Sequence, residues 1–299
     1  MKRKGFTLVE LLVVIAIIAV LAGLLLAGVN ALWGKKALVT TETEILEFNS
    51  AMELFKTKYS VYPPSSITVS ANPKTMATVL AADLAILQKI WPKINVAQAF
   101  GAAGMNVAGT KTLSGDQCLV LFLGGRHKKT GANANGALNY STCEGFSTDP
   151  TNPFAQGGDR TQPFFKFKVE RLFQRDKNAD FASYGDGWFG ESRGGSEQFP
   201  CYAYFAPRNA VGSLDYQPND CSALKDYKGN APKPYQDVTL DPATKTFPYL
   251  NPNSFQVISS GHDSQFGTKF QWVPGNALKL SPEEMDNITN FSKGLLSAN

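Results

Sequence analysis

The feature that most constrains this 299-residue chain is residues 11–34, a run of 24 positions without one charged side chain. Before Lys35 the only charges are Lys2, Arg3, Lys4 and Glu10. About 20 apolar residues, rising about 1.5 Å each as a helix, cross a bilayer's hydrocarbon core. Residues 11–29 have that length, and a purely cytosolic globule does not begin this way. The basic residues ahead of the run should stay cytoplasmic, which places the rest of the chain outside. A cleaved secretory signal has a shorter apolar core followed by a small-x-small box, and neither pattern fits here. Read alone, the run predicts a signal anchor, membrane-spanning over about residues 11–32.

Composition narrows the classes further. Hydrophobic residues at 43% and aromatics at 11% exclude intrinsic disorder. The net charge of +4 drops by three, to +1, once Lys2, Arg3 and Lys4 are set aside. A nucleic-acid-binding surface would be denser in base, so no nucleic-acid partner is expected.

Beyond Lys36, apolar residues recur at Ile45, Phe48, Met52, Phe55 and Tyr59. The spacings of 3 and 4 make one stripe of an amphipathic helix. Glu42, Glu44, Glu47, Glu53, Lys56 and Lys58 are read as facing water, and Pro63-Pro64 ends the helix near Tyr62. One rod over residues 6–61 follows, roughly 80 Å long, with residues 62–299 as a globular head. In the head, residues 75–90 read as a helix stopped by Trp91-Pro92. Residues 118–123 form a short apolar run that periodicity leaves open between helix and strand. Phe165, Phe167 and Val169 alternate with Lys166, Lys168 and Glu170, predicting a half-buried strand, and residues 202–205 and 255–258 predict two more.

Cys118, Cys143, Cys201 and Cys221 fall in the segment placed outside the cytoplasm, where disulfides persist. Two bridges are expected, and the sequence-local pairing is Cys118–Cys143 with Cys201–Cys221. No C-x-x-C pair supports zinc. Ser259, Ser260, Asp263, Gln265, Asp286, Asn287 and Asn290 form a polar cluster near the C-terminus. Calcium takes six to eight such oxygens, which makes Asp263 and Asp286 candidate ligands. Residues 176–180 with Asp186-Gly187 lack EF-hand spacing and read as a solvated acidic loop. His127 beside Arg126, Lys128 and Lys129 reads as a basic loop. No catalytic arrangement emerges, and the chain is not expected to be an enzyme.

Lys4-Gly5-Phe6-Thr7-Leu8-Val9-Glu10-Leu11-Leu12 closely resembles the class III signal of type IV prepilins and type II secretion pseudopilins. The resemblance implies cleavage after Gly5 by a prepilin peptidase, N-methylation of Phe6, and retention of the apolar helix. Residues 1–5 would then be a leader. Glu10 would act in assembly by neutralising the N-terminal amine of a neighbouring subunit. Residues 114–125, 163–172, 202–205, 254–261 and 286–291 resemble, in order, pieces of pseudopilin-like heads. The implied fold is α+β and pilin-like, with the distal half of a long transmembrane α-helix packed on an antiparallel sheet. The major pseudopilins also bind calcium after the third strand, which supports Asp263 and Asp286, although Ser264 stands where that family often has glycine. The implied function is a structural subunit of a type II secretion or type IV pilus-like filament. Its expected partners are like subunits, the peptidase/methyltransferase, and an inner-membrane assembly platform and ATPase. The expected location is the bacterial inner membrane, with the head in the periplasm. The alternative is a membrane-anchored adhesion or carbohydrate-binding module that uses the same signal.

Overall fold

The computed structural model describes residues 8–127, 129–132, 138–175, 181–189, 200–210, 213–276 and 279–298. Helix α1, Leu8–Tyr59, is unbroken for 52 residues, about 78 Å at the helical rise. It ends where Ser60 turns to a φ of 61° ahead of Pro63-Pro64. Its two halves differ sharply. From Leu8 to Leu21 the large apolar side chains are exposed, Leu8 at 80% and Ile18 at 58%. From Ala37 onward one face is buried, with Ile45, Phe48, Met52 and Phe55 nearly sealed. Side chains of residues 24–34 lie outside the description, so the described apolar stretch stops at Gly23. That is 16 residues, about 24 Å of helix against a core of about 30 Å. Among the described residues no helix is long and apolar enough to cross a membrane.

The head is α+β, and every ladder between its strands is antiparallel. Strand β1 (Ile67–Ser70) pairs with β2 (Thr110–Leu113) around three helices, α2 (Pro73–Thr78), α3 (Ala81–Ile90) and α4 (Val96–Ala99). The single helix expected over 75–90 is thus two. Asn72 caps α2 through its side chain, accepting from the Lys74 and Thr75 amides at 3.0 and 3.4 Å. Leu80 breaks the run with φ −115° and ψ 32°. Helix α5, Gly115–Gly124, settles the apolar run at 118–123 as helical. Its N-terminus carries a capping box formed by Ser114 and Gln117, and all ten of its residues are buried.

Next come the hairpin β3 (Lys129–Ala132) with β4 (Leu138–Tyr140), the short pair β5 (Leu172–Phe173) with β6 (Ser183–Tyr184), and the strand β7 (Tyr202–Phe205). The pair β8 (Arg208–Ala210) with β9 (Ser213–Asp215) follows. Strands β10 (Gln256–Ser259) and β11 (Ile288–Thr289) complete a three-stranded sheet ordered β11-β10-β7.

That sheet is buried on both faces, which is why β7 reads as the unbroken run Tyr202-Ala203-Tyr204-Phe205 and why even Gln256 and Ser259 of β10 are sealed. Tyr202, Tyr204 and Val257 face α1, while Ala203, Phe205 and Ile258 face a second core built from the C-terminal third. Trp272, in the stretch between Gly267 and Asp286, belongs to that second core and donates its indole N–H to the Leu296 carbonyl at 3.2 Å. Residues 165–169 do not form the expected strand. Phe165 and Phe167 are buried and Lys166 and Lys168 exposed, as alternation requires, but the partner surface is a helix. Phe165 stacks on Phe48 of α1 at 4.3 Å, so the segment runs extended over α1 with no ladder and then coils at Val169–Arg171.

Candidate functional site

Gly5 and Phe6 lie outside the described residues. Glu10 stands on the first turn of α1, exposed, amid the uncovered apolar side chains. The head sits 34 residues further on, at a polar clamp the sequence reading missed. Glu44 was expected in water and is buried at 4% exposure. Arg171 Nη1 and Nη2 donate to its two oxygens at 2.7 and 2.6 Å. Tyr202 and Tyr184 add O–H donors at 2.9 and 3.4 Å, and Lys168 reaches in from the surface at 3.2 Å. Burial and the Glu44 charge push both tyrosines upward, so they remain neutral donors. The bidentate geometry fixes one rotation of α1 against the head.

Beside the clamp lies Asp186, fully buried rather than part of a solvated loop. It accepts from Ser259 Oγ at 2.5 Å and from the Trp188 amide at 3.0 Å. Burial raises its carboxyl to about 7. Residues 176–180, the remainder of that expected loop, lie outside the described residues. Arg126 and His127 are also buried. Arg126 pairs with Glu144 at 3.1 Å, and His127 Nε2 accepts the Ala182 amide at 3.2 Å. They anchor the turn after α5, and Lys128 lies outside the described residues.

The expected disulfides are not formed; all four cysteines are free, buried thiols. Position along the elements explains it. Cys143 Sγ lies where a Cβ on Gly124 would meet it at 2.7 Å. Cys118 is six residues earlier on α5, about 9 Å along the axis. Cys221 Sγ bonds to the Tyr204 carbonyl at 3.3 Å, three strand residues from Cys201, about 10 Å. Cys143 therefore packs at the far end of α5 from Cys118, and Cys221 packs against Tyr204 rather than at the start of β7 beside Cys201.

Asp263 and Asp286 are brought together. The turn after β10 folds so that the Asp263 amide donates to Asp286 Oδ2 at 3.0 Å. Gly261, at φ +65°, is pressed against Asp286, and a Cβ there would lie 2.7 Å from the Asp286 carboxyl carbon. Ser264 takes a φ of 59°, the left-handed conformation that glycine adopts without strain. Gln265 donates through its backbone and side chain to Asp263 at 2.8 and 2.9 Å. Burial first, then the neighbouring Asp286, raises the Asp263 carboxyl to about 7. Lys228, paired with Glu283 at 2.8 Å, opposes that shift.

Three oxygens at this turn, Asp286 Oδ1, Ser260 Oγ and Gln265 Oε1, are buried and have no hydrogen-bond partner. Among the described residues no group of three or more His, Cys, Asp or Glu is arranged to hold a metal. A hard cation is served by two carboxylates plus hydroxyl, amide and carbonyl oxygens, and the unpartnered atoms are of that kind.

These features define a class: a long helix, apolar and uncovered at one end, clamped at the other into an antiparallel head. Residues 1–26 match the family model of the prokaryotic N-terminal methylation motif. The chain thus carries the class III signal of type IV pilins and pseudopilins, and the motif supports processing by prepilin peptidase. No curated protein and no solved structure matches the chain.

Proposed function

We propose that this protein is a structural, non-enzymatic subunit of a type II secretion or type IV pilus-like filament. On this reading prepilin peptidase cleaves after Gly5 and Phe6 is N-methylated. The helix anchors the chain in the inner membrane, with the head outside. An assembly platform and ATPase then extract it into a polymer with like subunits. The observation that carries the reading is the methylation motif fused to a helix whose residues 8–21 expose their apolar side chains all round. An apolar surface of that extent needs lipid or other helices. Calcium is proposed at the acidic turn, supported by the buried unpartnered oxygens around Asp263 and Asp286.

Glu10→Ala tests the assembly role. The variant is expected to be membrane-inserted and cleaved after Gly5 yet absent from sheared filaments. Normal filaments from it would overturn pairing between Glu10 and a neighbour's amine.

A further inference from the structure

The acidic turn and the helix contact are joined by a short series of direct contacts that meet at Asp186. Ser259 ends β10 and lies opposite Ile288, two residues after Asp286. Ser260 follows it outside the strand, and the amide of Gly261, which is pressed against Asp286, donates to Ser259 Oγ at 3.2 Å. Ser260 offers its unpartnered hydroxyl, while Ser259 Oγ donates to Asp186 Oδ2 at 2.5 Å. The second Asp186 oxygen accepts the Trp188 amide at 3.0 Å. That bond shapes a turn in which the intervening Gly187 N–H reaches Thr41 Oγ1 on α1, also at 3.0 Å.

Gly187 lies flat on the helix; a Cβ there would come within 2.6 Å of Thr41 Oγ1 and press on the Ala37 carbonyl. Glu44 and its clamp follow one helical turn after Thr41. A second link runs alongside, where the Trp188 ring stands 6.5 Å from that of His262, the residue before Asp263.

We propose that divalent-cation binding at the acidic turn is coupled, through Ser259, Asp186 and Gly187, to the seating of the head on α1. This rests on the calcium reading of the turn. A cation held by Asp286 and Ser260 fixes the end of β10 relative to β11. Ser259, the last residue of β10 and paired there with Ile288, then holds Asp186 where Gly187 can bond to Thr41. Linkage makes the effect reciprocal, so loosening the helix contact must weaken cation binding by the same factor.

The test uses the full chain in detergent micelles, titrated with calcium chloride by calorimetry. Thr41→Val keeps the side chain's shape and removes only the acceptor for Gly187, on a helix that supplies no ligand. Coupling predicts calcium affinity at least about fivefold weaker in this variant, the lower end of ordinary coupling between sites. Equal affinity in Thr41→Val and wild type overturns the coupling while leaving the cation site in place. A wild-type chain that takes up no calcium overturns the site itself, and the coupling with it. Hydrogen exchange on the wild-type chain avoids any folding defect of the variant. Calcium must slow exchange of the Gly187 amide, and an unchanged rate there, with calcium bound, also overturns the coupling.

Discussion

Arg171 and Glu44 meet inside the head with 10% and 5% of their side chains exposed, a regime in which the loss of one partner outweighs the value of the pair. The pair itself offsets two desolvation costs, but a buried guanidinium left with only the Gly185 carbonyl keeps its charge uncompensated. Glu44→Gln is therefore expected to destabilise the head by about 3–5 kcal/mol, read from urea unfolding of the full chain in detergent. Lys168→Ala, removing a half-exposed partner of the same carboxylate, should cost less than about 1 kcal/mol. Equal effects would show that charge count rather than burial governs the clamp. Position 44 was legible in phase, four residues before Phe48 on the apolar stripe, but its side chain argued for water. Only the long-range approach of Arg171, Tyr184 and Tyr202 reverses that, and no local pattern encodes it. Asp186 behaves differently: Ser259 Oγ and the Trp188 amide bond to it, and burial is the largest influence on its charge. Arg171 draws its carboxyl down and Glu44 pushes it up, both by less than burial does. Its carboxyl is raised, so its contribution to stability is largest below the unfolded value and is lost as pH rises toward 7. Asp186→Asn should flatten that slope and gain stability over wild type at pH 8, as measured by melting at pH 5 and 8.

At the scale of elements, α5 shows how a glycine can be fixed by packing rather than by propensity. Alanine is the better helix former by about 1 kcal/mol. A Cβ on Gly115, however, would stand 2.6 Å from Cys221 Sγ and press on the Tyr204 carbonyl of β7. Overpacking of that kind costs about 1–3 kcal/mol, so Gly115→Ala should lower stability despite its propensity, as equilibrium unfolding would register. A neutral or stabilising result would mean that α5 and β7 can separate at little cost. The same packing explains what the sequence left open in this region. Residues 118–123 carry no period because every side of α5 is covered, and a helix buried all round looks like a buried strand. Residues 165–169 carried a strand's period because α1 lies on one side and solvent on the other, which any extended chain over a helix reproduces. The stripe Ile45, Phe48, Met52 and Phe55 was read correctly because a one-sided environment leaves its period in the sequence.

For the whole molecule, the apolar first half of α1 and two strands of the buried sheet, β7 and β10, were visible in local runs of sequence, whereas β11 and the acidic turn had to be assembled. Residues 263 and 286 are 23 apart, and only the β10–β11 pairing and the pressed Gly261 place their carboxylates together. The same proximity dictates how the turn should respond to pH and cation. With Asp263 raised to about 7, the folded chain holds a proton there that the unfolded chain has released by about pH 4. Stability from this group is therefore present below about pH 4 and is lost as pH climbs to 7. A cation displaces that proton and reverses the trend, so apparent calcium affinity should rise with pH up to about 7, by at most about tenfold per unit for one proton. At a hundredfold excess over Kd, calcium adds about 2.7 kcal/mol. Melting of the full chain in calcium against chelator, at pH 5, 6, 7 and 8, should give a gap that opens with pH. Because Asp186 titrates in the same window from its own buried position, Asp263→Asn is the control that isolates the site. It should keep the Asp186 slope and close the calcium gap. A gap that persists in Asp263→Asn would place the cation elsewhere, and no gap at pH 8 in wild type would remove the site from this protein.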